Sequence, residues 1–390
     1  MTATTALLFG LFLAVLVGVA VWHGRALAIA GVGLGVILAV RLALTPFSLG
    51  DHLLREWAKL ANLFGLLVGF ELLADHFERS AVTDRLARWL PDGAPGSFAL
   101  LALVWALSGV LDNIAAALIG ATIAGRLYDR RLHVGYLAAL VAAANAGGAG
   151  SVIGDTTTTM MWIDGVRPAD VLNAYIGSVA AVAIFGAVAS VQQARHAPRA
   201  PRPTEVPAID GPRLGLVVAA LAVVVATNVA INLWAPERAD AFPWLAFALW
   251  IVLLAGALVR RPTWSILPRS ARGSLFLLAL VFAASLMPVE SLPSPTWRTT
   301  LALGFVSSLF DNIPLTKMAL EQGGYDAALL AYAVGVGGSM VWFGSSAGVV
   351  VSGAFPEARS IGGWLRAGWH VPLGFVAGFF ALLAVRGWHP

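Results

Sequence analysis

Three carboxylates stand where a carboxylate is costly. Asp112, Asp155 and Asp311 each lie inside a long apolar run. At membrane depth an acid costs roughly 2.5–3.5 kcal/mol on insertion scales, so it persists where it lines a site. Each has polar company: Asn113 beside Asp112, Thr156 and Thr157 beside Asp155, and Asn312 beside Asp311. A fourth run carries Ser345 and Ser346 at the place that corresponds to Asp155 and Thr156. Glycines accompany them, Gly147, Gly148 and Gly154 in one run and Gly337, Gly338 and Gly344 in another. Glycines next to Asp, Asn, Ser and Thr break a helix and free backbone carbonyls. Carbonyls, hydroxyls and a carboxylate together make a hard oxygen shell for a small cation such as sodium. The ends of half-helices add their partial charges. Irregular backbone at this depth is tolerated only when buried in protein or lining an aqueous cavity.

A plainer account exists for several of these residues. Asp112, Asp155 and Asp311 could each cap the helix that follows. Thr158 and Thr159 could bond to carbonyls one turn back. Lys317 could snorkel or pair with an acid. Glu71 and Asp75, at the end of the third apolar segment, are expected as proton-coupled acids or as interfacial residues. The Gly31, Gly33 and Gly35 cluster reads as helix packing.

The elements that must position these residues are membrane helices. Of 390 residues, 59% are hydrophobic and 12% charged, against about 25% charged in a soluble domain. Cysteine is absent, which removes disulfides, thiolate metal sites and thiol nucleophiles. Apolar segments fall near 5–22, 26–43, 59–75, 97–125, 134–160, 173–191, 213–233, 243–259, 273–289, 299–320, 327–352 and 368–386. The first is kept as a membrane helix, because its first positive charge, Arg25, follows it rather than precedes it. A Pro- and Arg-rich stretch, Gln192 to Arg213, reads as an extended linker. It divides the chain into 1–191, a cytoplasmic linker 192–212, and 213–390.

Arg-rich loops mark the cytoplasmic side. Arg79, Arg85 and Arg88 precede segment 97–125, and Arg126, Arg130 and Arg131 follow it. That segment must then enter and leave on one side, as a re-entrant hairpin. The second half gives the mirror image at 299–320, with Arg167, Arg298 and Arg386 falling against the rule. The expected fold is therefore an all-α polytopic membrane protein with two inverted repeats, each of five spans plus one re-entrant hairpin, and broken helices at the site. The repeat is visible in residues: Ser108 to Ile114 matches Ser307 to Ile313, and Gly147 to Thr156 matches Gly337 to Ser346. Such repeats are a common plan for secondary transporters.

The stretch Asn145 to Trp162, NAGGAGSVIGDTTTTMMW, resembles the signature of NhaD-type sodium/proton antiporters. So do Ser108 to Ile114, Ser307 to Pro314 and the Glu71–Asp75–His76 stretch. That family lies in the ion transporter superfamily, with arsenite pumps and dicarboxylate/sodium symporters. The resemblance implies a homodimer with a scaffold and a moving transport domain, which exchanges sodium or lithium for protons by an elevator-like motion. It implies one half-site of Asp112, Asn113, Asp155 and Thr156, with the sodium at Asp112, Asn113 and Asp155, and another of Asp311, Asn312, Ser345 and Ser346. The sequence departs from the pattern at Ala149-Gly150, where the family has a bulky residue. An anion carrier of the same superfamily is the alternative, though an anion site calls for helix N-termini rather than extra acids. An enzyme is disfavoured: no H-E-x-x-H, G-x-S-x-G or paired His cluster occurs in the apolar segments. No cofactor and no nucleic-acid partner is expected. The partners expected are the lipid bilayer and a small cation, and the location a bacterial inner membrane.

Overall fold

A bilayer core offers no water to backbone polar groups, so a spanning chain must satisfy them within helices. The computed structural model describes residues 3–22, 25–200, 208–235, 238 and 241–390, and every regular element among them is helical. The chain passes through two compact units, one formed by 1–81 with 208–292, the other by 82–207 with 293–390. It begins in the first unit with α1 (Ala3–Val21), α2 (Ala26–Leu44) and α3 (Leu49–Glu78). It continues in the second with α4 (Val82–Trp89), α5 (Gly93–Ser108), α6 (Asn113–Leu127), α7 (Val134–Gly148), α8 (Thr156–Ile163), α9 (Pro168–Leu172) and α10 (Ala174–His196). It returns to the first with α11 (Gly211–Trp234), α12 (Trp244–Gly256) and α13 (Leu267–Ser285). It ends in the second with α14 (Trp297–Ser307), α15 (Asn312–Gln322), α16 (Ala327–Gly337), α17 (Ser346–Ala354), α18 (Ile361–Ala367) and α19 (His370–Arg386).

The boundaries follow the apolar segments except at α3, which starts at Leu49 rather than 59, at the short α4, α9 and α18, which fall outside them, and at the expected linker. Gln192 to His196 continue α10, and Gly211 already opens α11, so the extended part is shorter than 192–212. Residues 201–207 of that linker lie outside the described residues. Among the described residues, four helices are long and apolar enough to cross a bilayer, and α18 with α19 makes a fifth candidate bent by 60°. Several other apolar helices are shorter, α12 having 13 residues and α5, α6 and α7 15 to 16. A straight crossing takes about 20.

The first unit is held by small residues that let helices approach. A methyl at Gly65 would lie 2.5 Å from the Ala246 side chain, and one at Gly69 2.5 Å from Leu249, so α3 and α12 pack in close contact. Asn62 of α3 accepts a hydrogen bond from the Ala246 amide at 2.9 Å, one of the donors that the first turn of α12 leaves unsatisfied. Of the three glycines in α2, only Gly33 meets α1, at Val15; Gly31 and Gly35 face open space. At one end of the unit, Asp210 caps α11 and pairs with Arg260 and Arg213.

In the second unit, two helix pairs fold back on themselves. The Val104 side chain of α5 lies against Gly120 of α6, and the Ser97 and Tyr128 hydroxyls hydrogen-bond at 2.7 Å across the open ends. α14 and α15 do the same: the Gln322 amide donates to the Pro293 carbonyl at 2.9 Å. Segments 97–125 and 299–320 are thus helical hairpins. α7 stops at Gly148 and α8 starts at Thr156; α16 stops at Gly337 and α17 starts at Ser346. These are the two broken helices.

Candidate functional site

The site is built from four helix N-termini. Each has one of the sequence-marked residues as its cap: Asp112 on α6, Asp155 on α8, Asp311 on α15 and Ser345 on α17. The three aspartates accept the amide two residues on, at 2.9 Å from Ile114, 2.8 Å from Thr157 and 3.0 Å from Ile313. The capping account of these acids therefore holds as far as it goes. It uses one oxygen of each carboxylate. At Asp155 the second oxygen accepts the Asn113 amide at 2.7 Å, which joins the first hairpin to the first broken helix. At Asp311 the second oxygen accepts the Ser346 hydroxyl at 3.3 Å, which joins the second hairpin to the second broken helix.

These junctions lie together. α6 packs on α17 and α15 on α8, so each hairpin also touches the opposite broken helix. Asp155 is 2% exposed, and Asp311 is half-buried. Asn113, Thr156, Thr157, Asn312 and Ser345 are buried around them. The Thr157 hydroxyl donates to the same Asp155 oxygen as its own amide, at 2.8 Å. A buried carboxylate gathers such donors because leaving it unpartnered costs far more than the bonds return.

The glycines permit this approach. A methyl at Gly148 would lie 2.6 Å from the Gly154 carbonyl and 2.9 Å from the Asp155 Cβ. Gly147 abuts the backbone of Trp105, and Gly154 that of Ser108. The second half repeats the pattern: Gly337 abuts the backbone of Gly304, Gly344 that of Ser308, and Gly338 the Gly344 carbonyl at 2.8 Å. All six sequence-marked glycines are therefore points where backbone meets backbone.

Two carbonyls freed by the first break are partly used. Thr158 donates to the Ser151 carbonyl at 2.6 Å and also to Asp155's, and Thr159 donates to Val152's at 2.9 Å. These threonines hold the break loop seven residues back, rather than only the previous turn. Lys317 pairs with Glu321 at 2.6 Å. Glu71 and Asp75 belong to the other unit. There Asp75 accepts the Thr263 hydroxyl at 2.7 Å and lies 3.7 Å from Arg79.

Two members of the cluster were not foreseen as site residues. Asn145 accepts from Asn113 at 3.1 Å and donates to the Ser339 hydroxyl at 2.9 Å. Both are fully buried. Asn145 carried a signal: it is an amide amid small apolar residues of a helix buried on all sides, and a buried amide must find partners. Ser339 carried little beyond its place after Gly338.

The helices and this buried acid–amide cluster define a multi-pass, all-helical membrane protein. No family model matches the chain. It is 27% identical over 376 residues to Sodium/proton antiporter 1 of Arabidopsis thaliana, an alignment covering 84% of this chain and 62% of the plant protein. It is 28% identical over 328 residues to Sodium/proton antiporter 2 of the same plant, covering 72% of this chain and 74% of that protein. The chain thus spans 62% of the length of the first of these relatives.

Proposed function

We propose that the chain is a secondary active transporter, not an enzyme, which exchanges sodium or lithium for protons across a membrane. The observation that carries this reading is the cluster at Asp155: a buried carboxylate held by an amide and a hydroxyl, with α15, capped by the half-buried Asp311, packed against the same broken helix. The two similar plant proteins, both named sodium/proton antiporters, support it. A carboxylate in such a place must be neutralised, and a proton or a small cation can each do it. The two therefore compete, and competition for one site is what couples their opposite movements. Asp112, Asn113, Asp155, Thr156 and Thr157 form one half-site; Asp311, Asn312, Ser345 and Ser346 form the other.

The finer parts of the reading follow from the paired motifs. The two hairpins and two broken helices are inverted repeats, and the unit that carries them is the transport body of an elevator-like mechanism. The unit containing α3 and α11 to α13 is its scaffold, in a homodimer of the NhaD type in a bacterial inner membrane. Four helix N-termini would also suit an anion. Here the chain's own Asp112, Asp155, Asp311 and Ser345 already cap them, which disfavours the anion carrier.

The test uses purified protein in sealed liposomes with an internal pH dye and an imposed proton gradient. Sodium or lithium chloride dissipates the gradient with wild type and not with Asp155→Asn or Asp112→Asn. No cation-dependent proton flux with wild type would overturn the exchange reading, and arsenite or dicarboxylate uptake in the same vesicles would replace it.

A further inference from the structure

The two half-sites differ in their caps, Asp155 against Ser345, and also in what holds the hairpin asparagine. An ionised carboxylate only accepts hydrogen bonds, so Asn113 must turn its NH2 group towards Asp155. That nitrogen has two hydrogens. One goes to Asp155 at 2.7 Å and the other to Asn145 at 3.1 Å. With both used, the Asn113 carbonyl oxygen points away from both residues. Asn145, which accepts through Oδ1, has its own NH2 left to donate, and it does so to Ser339 at 2.9 Å. Donation runs outward from Asn113, directly to Asp155 on one side and through Asn145 to Ser339, at the second helix break, on the other.

Aligning Gly147-Gly148 with Gly337-Gly338 places Gly335 opposite Asn145 and Ala149 opposite Ser339. These two also meet: a methyl at Gly335 would lie 3.1 Å from the Ala149 Cβ. Where the first half has an amide bridged to a hydroxyl, the second has hydrogen facing methyl. Asn312, the counterpart of Asn113, therefore has no amide at that position to orient it.

We infer that Asn145 is a positioning residue which fixes the Asn113 amide with its oxygen turned out as a cation ligand, and that this makes the first half-site the preorganised one. The inference rests on the cation-exchange reading and adds to it an unequal pair of half-sites. Losing a single neutral hydrogen bond of this sort changes an equilibrium by roughly three- to tenfold. Asn145→Ala raises the sodium concentration for half-maximal effect by about that factor and leaves the maximal exchange rate near wild type. Ser339→Ala acts in the same direction and less.

The experiment measures thermal stabilisation of the purified protein by sodium or lithium chloride against choline chloride, alongside the sodium dependence of exchange in liposomes. Variants are Asn145→Ala, Ser339→Ala, Asn113→Ala and the double Asn113→Ala/Asn145→Ala. The inference stands if Asn145→Ala raises the half-saturating sodium concentration in both readouts and the double variant is no weaker than Asn113→Ala alone. Ser339→Ala supplies the same comparison should Asn145→Ala fail to fold. The inference is overturned if wild type responds to sodium but Asn145→Ala and Ser339→Ala bind it equally well, or if the two losses in the double variant multiply. If wild type responds to no cation, the exchange reading itself falls, and the inference with it.

Discussion

Gly148→Ala places one methyl at the point where α7 meets the cap of α8. The added carbon would lie 2.6 Å from the Gly154 carbonyl oxygen and 2.9 Å from the Asp155 Cβ, where ordinary contact is 3.4 Å or more. Neither neighbour is the tip of a flexible side chain, so the backbone of the break must yield. Overpacking of this sort costs about 1–3 kcal/mol, and the helix propensity gained by replacing glycine returns at most about 1 kcal/mol. With the full return the net loss is about 0–2 kcal/mol, with the Asp155 carboxylate moved from its Asn113 partner. The control is Gly31→Ala, whose methyl enters open space; it should be neutral or slightly stabilising. Thermal unfolding in detergent reads the first effect and sodium-dependent proton flux in liposomes the second. A Gly148→Ala protein as stable and as sodium-responsive as Gly31→Ala would refute the claim that this glycine exists for the close approach.

Four further outcomes are expected. Asp155→Asn should abolish cation-dependent flux, whereas Asp75→Asn, which loses a half-exposed ion pair with Arg79, should retain folding within about 1 kcal/mol. Glu321→Gln should destabilise more than the double variant Lys317→Met/Glu321→Gln, because it leaves the buried Lys317 ammonium without that carboxylate; equal unfolding temperatures would contradict this. Ser97→Ala should loosen the open end of the first hairpin by about 1 kcal/mol, seen as faster hydrogen exchange near Tyr128. Burial opposes ionisation of Asp210, but hydrogen bonds and charge from Arg260 and Arg213 hold its carboxyl below the ordinary value. Its contribution is present above the unfolded carboxyl pKa of about 3.9 and is lost as pH falls through the lower folded value. Asp210→Asn should therefore be less stable than wild type at pH 7, with the two converging in acid.

Much of the architecture was legible because apolar length is a one-dimensional signal. Segment 97–125 read as a hairpin from the arginines on both sides, and α5 and α6 do fold back about Gly109–Asp112. The motif residues were legible because a carboxylate in an apolar run needs a reason. What escaped depends on neighbours far apart in sequence. Asn145 shows in the sequence as an amide that needs partners, but its partner Ser339 lies 194 residues away, at the other helix break. The sequence offers Thr158 and Thr159 carbonyls one turn back; Thr158 does bond there, to Asp155, and both also reach the loop at Ser151 and Val152, whose path a helical period does not encode. Nor does segment order reveal that 1–81 packs with 208–292 to form one unit.

That interleaving has a consequence for how the protein is made. The first unit needs helices up to Ser285, so α1, α2 and α3 enter the membrane and wait through seven helices of the other unit before their partners emerge. The second unit waits in turn, its first hairpin lacking α17 until the last fifth of the chain is synthesised. A ribosome stalled near residue 200 leaves two half-built bodies rather than one finished domain, with the polar faces of α6 and α8 unmatched. Biogenesis should therefore depend on insertion factors that shelter unpaired helices. Two fragments, 1–204 and 205–390, should regain function when expressed together and be degraded when expressed alone.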